Sequence, residues 1–143
     1  MLGGLHAKRG DWAALANMHR AELEAIGDPR QQAARYSKIG EIHEVHIGDW
    51  SGAADAYREV VELDPDFHYA AKALSRMLLR LGDWAGYVEL MLDEVERIDS
   101  TQERIEHYSR IADAQAAHLD QPEAAIETWL CVLRLDPTHL SAI

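Results

Sequence analysis

Shifted by 72 residues, the chain matches itself without a gap: residues 10–71 lie over 82–143, and 17 of the 62 positions are identical. The matches include Gly10/Gly82, Asp11/Asp83, Trp12/Trp84, Ile26/Ile98, Tyr36/Tyr108, Ser37/Ser109, Ile39/Ile111, His46/His118, Ala53/Ala125 and Val60/Val132. Leu63-Asp64-Pro65 falls on Leu135-Asp136-Pro137. This is a tandem duplication with internal copies 10–81 and 82–143, so whatever fold one copy adopts must be built twice. Each copy subdivides, because Gly-Asp-Trp recurs at 10–12, 48–50 and 82–84, steps of 38 and 34 residues, and Asp120-Gln121-Pro122 takes the fourth place. Periods of this length belong to stacked helical hairpins.

The hydrophobic pattern within each unit is helical. In AARYSKIGEIHEVHI, Tyr36, Ile39, Ile42 (or His43) and His46 (or Ile47) fall three or four apart, and Ala53, Ala56, Tyr57, Val60, Val61 and Leu63 do much the same. No stretch alternates with period two between hairpin turns, so the expected class is all-α, an α-solenoid of antiparallel helix pairs with about eight helices. The spacing predicts helices over 11–26, 30–47, 50–63, 67–81, 84–98, 102–119 and 122–135, with the tail of another near 2–9 and the start of one more from 138. Gly-Asp-Trp then reads as punctuation. Gly closes one helix in the left-handed conformation, Asp caps the free N–H groups of the next, and Trp covers the corner of the hairpin. Asp28-Pro29, Asp64-Pro65 and Asp136-Pro137 read as a capping carboxylate before a proline in the first helical position. Connections this short make neighbouring helices antiparallel. The second copy stops at Ile143, where the first continues through HYAAKALSRMLLRL, so the array is expected to continue past 143.

A length of 143 residues fits one domain or one array, 1–143, with enough chain to bury a core without disulfides or metal. The formal net charge of −11 repels phosphate backbones and anionic lipid, which argues against nucleic acid and membrane partners. Cys131 is the only cysteine, and no apolar run has the length of a membrane span or the form of an export signal, so a cytoplasmic location is expected.

The pattern resembles the tetratricopeptide repeat family, whose hairpins carry Trp-x2-Leu-Gly-x2-Tyr on the first helix, then Ala-x3-Phe, a small residue and Pro. Here the matching residues are Tyr36, Ile39, Gly40 and His43, then Ala53, Tyr57, Val60 and Pro65. The next copy reads Tyr108, Ile111, Ala112 and Gln115, then Ala125, Trp129, Val132 and Pro137. Between them Ala71, Leu74, Ser75 and Leu78 form a first-helix pattern, while Tyr87, Met91 and Glu94 depart from the second. Small residues at Gly40 and Ala53 let paired helices approach, with Tyr57 and Trp129 filling the gaps. The resemblance implies a non-enzymatic scaffold that binds a protein or peptide segment on a concave face lined by first helices.

Lys72, Arg76 and Arg80 stand four apart on 67–81 and share one stripe of that helix. By the resemblance, such positions line the groove, and some family members clamp a peptide carboxylate with Lys and Arg there. The expected ligand is therefore an acidic or C-terminal peptide. Glu41 and Glu44 before the stripe, and Glu106 and Asp113 after it, also allow a plainer reading in which the cations neutralise neighbouring carboxylates in a solvated network. His43 and His46 stand three apart, not four as in the zinc-protease helix, and no third ligand is evident, so no metal and no cofactor is expected. Cys131 lies in TWLCVLRL, a packing pattern with no glycine turn to build an oxyanion site, and no residue is assigned to catalysis. The alternative function is a structural spacer whose exposed terminal helices associate end to end with further repeats or a second copy.

Overall fold

In the computed structural model the described residues are 9–138, and every regular element among them is helical. They form seven helices: α1 (Arg9–Leu23), α2 (Pro29–Glu41, continued by a wider π turn over Ile42–Ile47), α3 (Trp50–Leu63), α4 (His68–Leu81), α5 (Trp84–Val95), α6 (Thr101–Ala117) and α7 (Pro122–Leu135). The helical pieces expected near 2–9 and from 138 onward fall outside these residues, apart from Thr138 in a turn. The chain divides into two compact units, one ending at Leu81 and the other beginning at Gly82.

In the first unit each helix packs on the one before it, α2 on α1, α3 on α2 and α4 on α3. Ala16, Ile39, Ile42 and Ala56 are buried together, with Trp12, Leu15, Leu23, Tyr36 and Ile47 packed around them. The close approach of α2 and α3 depends on Gly40, where an added Cβ would lie 2.7–2.9 Å from ring atoms of the fully buried Tyr57. In the second unit α6 packs on α5 and α7 on α6. Its buried apolar residues include Tyr87, Leu90, Met91, Val95, Ile105, Ile111, Ala112, Ala125 and Val132.

Two of the three Gly-Asp-Trp triplets end helices as expected. Gly48 and Gly82 take φ of 77° and 71°, the left-handed region. Asp49 then accepts from the Gly52 amide at 3.0 Å and Asp83 from the Gly86 amide at 2.9 Å, leaving no space for a Cβ at Gly52 or Gly86. The first triplet differs. Gly10 lies inside α1, and Asp11 occupies its first turn, where a carboxylate faces the positive end of the helix dipole. The Asp-Pro expectation holds at Asp28, which accepts from the Arg30 amide at 3.3 Å ahead of Pro29. Asp64 instead ends α3, its amide donating to the Val60 carbonyl at 2.8 Å. Pro65 then follows in a turn closed by the Phe67 amide on the Asp64 carbonyl, and α4 starts three residues later at His68. Asp136 also ends α7, yet its carboxylate accepts from the Thr138 amide at 3.1 Å as Asp28 does from Arg30, and the helix expected beyond it falls outside the described residues. A proline just past a helix end is as natural as one just inside a start, since in both places it has no intrahelical N–H to lose.

Candidate interaction surface

Lys72, Arg76 and Arg80 are all exposed on α4, whose opposite side buries Ala70, Ala73, Leu74, Met77 and Leu78. The structure gives the three cations different surroundings. The Arg76 guanidinium donates to both Glu44 oxygens, at 3.2 and 3.4 Å, and so ties α4 to the π turn that ends α2. Glu44 also accepts from the Tyr57 hydroxyl at 2.9 Å, so one largely buried carboxylate is held between a phenol of α3 and a cation of α4. Burial, and then the neighbouring Glu44 and Tyr69, hold the Tyr57 phenol protonated well above its ordinary range. Arg80 lies over the Trp50 ring at 5.3 Å, and Lys72 forms no ion pair among the described residues. Glu41 is exposed with no ion pair among the described residues, and Glu106 and Asp113 are exposed on α6 of the second unit.

The Trp50–Arg80 contact explains the third member of the Gly-Asp-Trp triplets. Trp12 stacks on His46 with ring centres 3.7 Å apart, and Trp84 stacks on His118 at 3.6 Å. Each tryptophan therefore lies, near the start of its helix, against a nitrogen-rich side chain near the end of the following helical segment. The signal was in the sequence: His46 and His118 are among the identities of the 72-residue shift, as are Trp12 and Trp84. The same equivalence governs a carboxylate contact. Arg35 pairs with Glu22 in the first unit, and His107 Nε2 lies 3.2 Å from the Glu94 carboxylate in the second; these are matched positions with a different nitrogen donor.

His43 and His46 are engaged separately. His46 is stacked on Trp12, whereas the His43 ring lies between Arg20 and Asp49. A guanidinium can only donate, so His43 Nε2, 3.2 Å from Arg20, accepts, while Nδ1 lies buried 3.2 Å from the Asp49 carboxylate without a hydrogen bond to it. Cys131 is a half-buried free thiol on α7.

The helical hairpins and their caps define a tetratricopeptide-like helical-repeat fold. Solved structures titled "Crystal structure of MamA" and "MamA RS-1 ArsTM double mutant" share it. The first has a TM-score of 0.52 at 16% identity over 93% of this chain and 73% of that one. The second has a TM-score of 0.54 at 16% identity over 94% and 71%. No family profile and no curated protein matches the chain. Among the described residues no helix is long and apolar enough to cross a membrane.

Proposed function

We propose that this protein is a non-enzymatic interaction module that binds an acidic or C-terminal peptide segment along α4, on the concave face that the tetratricopeptide resemblance implies. The observation that carries this reading is the stripe of Lys72, Arg76 and Arg80, exposed together in a chain of formal net charge −11. A carboxylate arriving there would share Arg76 with Glu44 and meet Lys72 unopposed by an ion pair among the described residues. Contacts of this kind are charge-assisted and screened by salt. Fluorescence titration with a short glutamate-rich peptide, with its C-terminus free or amidated, tests this. Binding should weaken as sodium chloride rises, and Arg76→Glu should lower affinity about tenfold or more, the scale of one lost charge-assisted contact. Unchanged affinity in Arg76→Glu would remove the proposal. The spacer alternative predicts instead that the chain self-associates in sedimentation and ignores the peptide.

A further inference from the structure

The pair of Arg76 and Glu44 is enclosed on one side and open on the other. Glu44 lies in the π turn that ends α2, where its neighbour Val45 is 65% exposed and its own side chain only 12%. Glu44 Oε1 accepts from the Tyr57 hydroxyl at 2.9 Å and from Arg76 Nη2 at 3.4 Å, and Oε2 accepts from the same nitrogen at 3.2 Å. Tyr57 is fully buried, so its hydroxyl has no bulk water to turn to when Glu44 moves, and a buried donor without an acceptor is costly. Glu44 is fixed from inside. Arg76 is exposed, and its contacts with Glu44 all run through Nη2, while Nε and Nη1 make no hydrogen bond among the described residues. The second copy offers an internal comparison. Trp129, which has no hydroxyl, stands in the place of Tyr57, and Ala116, which has no carboxylate, in the place of Glu44; α6 runs to Ala117 there without a π turn. Donor and acceptor are lost together, as befits two groups that act as one unit.

We propose that Glu44, anchored by Tyr57, is a positioning residue for ligand binding: it holds the Arg76 guanidinium by one nitrogen and presents the other two to an incoming carboxylate. This rests on the reading of α4 as a site for an acidic or C-terminal peptide. Two effects of Glu44 oppose each other. Its charge repels a second carboxylate, whereas its hydrogen bonds order in advance a long side chain that otherwise loses its freedom only on binding. Repulsion across an exposed guanidinium is weakened by water and salt, and by the cation between the two acids; the ordering of Arg76 is not. The brace therefore outweighs the repulsion, and the site binds a carboxylate better with the acidic Glu44 than with nothing in its place.

The probe is a labelled hexaglutamate peptide with a free C-terminus, titrated against the full chain by fluorescence anisotropy. Glu44→Ala should weaken binding about fivefold, the scale of one long side chain ordered in advance, although it removes a like charge. Glu44→Gln keeps in its carbonyl the Oε1 acceptor that serves both Tyr57 and Arg76, and should bind at least as tightly as wild type. Glu44→Ala also strands the Tyr57 hydroxyl, so the double variant Glu44→Ala/Tyr57→Phe, which removes the stranded donor, should still bind as weakly as Glu44→Ala. A Glu44→Ala chain that binds as well as wild type or better overturns the proposal, because Glu44 then acts only by repulsion. So does a Glu44→Gln chain as weak as Glu44→Ala, and so does a double variant that recovers wild-type affinity, since the loss then came from the stranded phenol. In each of these outcomes wild type binds and the peptide reading of α4 stands. Absence of binding by wild type removes that reading, and this proposal with it.

Discussion

Gly40 is the residue where two packing demands collide. Replacing a mid-helix glycine by alanine ordinarily stabilises a helix by about 1 kcal/mol. Here the new methyl would sit 2.7–2.9 Å from the Tyr57 ring, which is fully enclosed and held at its far end by the hydrogen bond to Glu44. Overpacking of an interior costs roughly 1–3 kcal/mol, so the steric term should win. Gly40→Ala is expected to lose about 1 kcal/mol net, read as a lower urea midpoint at constant slope. A midpoint that rises instead would mean that the ring has room to retreat. In the second unit Ala112 stands in the place of Gly40 and Trp129 in the place of Tyr57.

At the scale of elements, the turns from α2 to α3 and from α6 to α7 close alike. The Asp49 amide donates to the His43 carbonyl at 2.9 Å and the Gln121 amide to the Gln115 carbonyl at 2.8 Å, each reaching back six residues. Both need a left-handed residue before the cap. The first turn uses Gly48 at φ 77°, the second Asp120 at φ 50°. A side chain in this region costs about 1–2 kcal/mol relative to the right-handed conformation, somewhat less for Asp, and glycine is free of that strain. Asp120→Gly should therefore raise stability by roughly 0.5–1 kcal/mol, detectable by urea unfolding, whereas Gly48→Ala should lower it. An Asp120→Gly protein no more stable than wild type would show that the carboxylate does something there that offsets the strain.

These turns also show why the fold was largely legible in the sequence and its details were not. Helix type and order follow from spacing, which repeats. Whether Asp-Pro starts or ends a helix follows from which carbonyl the Asp amide finds, as at Asp64, and spacing is silent on that. The π turn over Ile42–Ile47 explains why the apolar pattern offered either Ile42 or His43, and either His46 or Ile47: the register widens there. Of the candidate surface, the exposed basic stripe was readable from four-residue spacing. The tether of Arg76 to Glu44, and of Glu44 to Tyr57, joins residues on three helices, and only packing brings those together.

The molecule as a whole should answer to alkali through two buried phenols, one in each unit. Burial, with Glu44 and Tyr69 adding, raises Tyr57, and burial raises Tyr87 despite an opposing effect from Arg110. A raised folded pKa means that the folded chain keeps a proton which the unfolded chain begins to lose near pH ~10, the ordinary value for tyrosine. Stability from these groups is thus fully present below about pH 10 and falls as pH rises beyond it, by about 1.4 kcal/mol per pH unit for each phenol. The formal net charge of −11 pushes the same way, since every further ionisation adds to self-repulsion. Tyr57→Phe separates the two effects. At neutral pH it should cost about 1 kcal/mol through the lost hydrogen bond to Glu44. Above pH ~10 its stability should fall less steeply than that of wild type, by the share of one phenol, because nothing at that site can ionise in either state. Tyr87→Phe should do the same for the second unit. Urea unfolding at a series of pH values from neutral to strongly alkaline measures the slopes. Parallel curves for wild type and Tyr57→Phe would show that the Tyr57 phenol titrates as freely in the folded chain as in the unfolded one, and that its enclosure beside Gly40, Glu44 and Tyr69 does not persist in alkali.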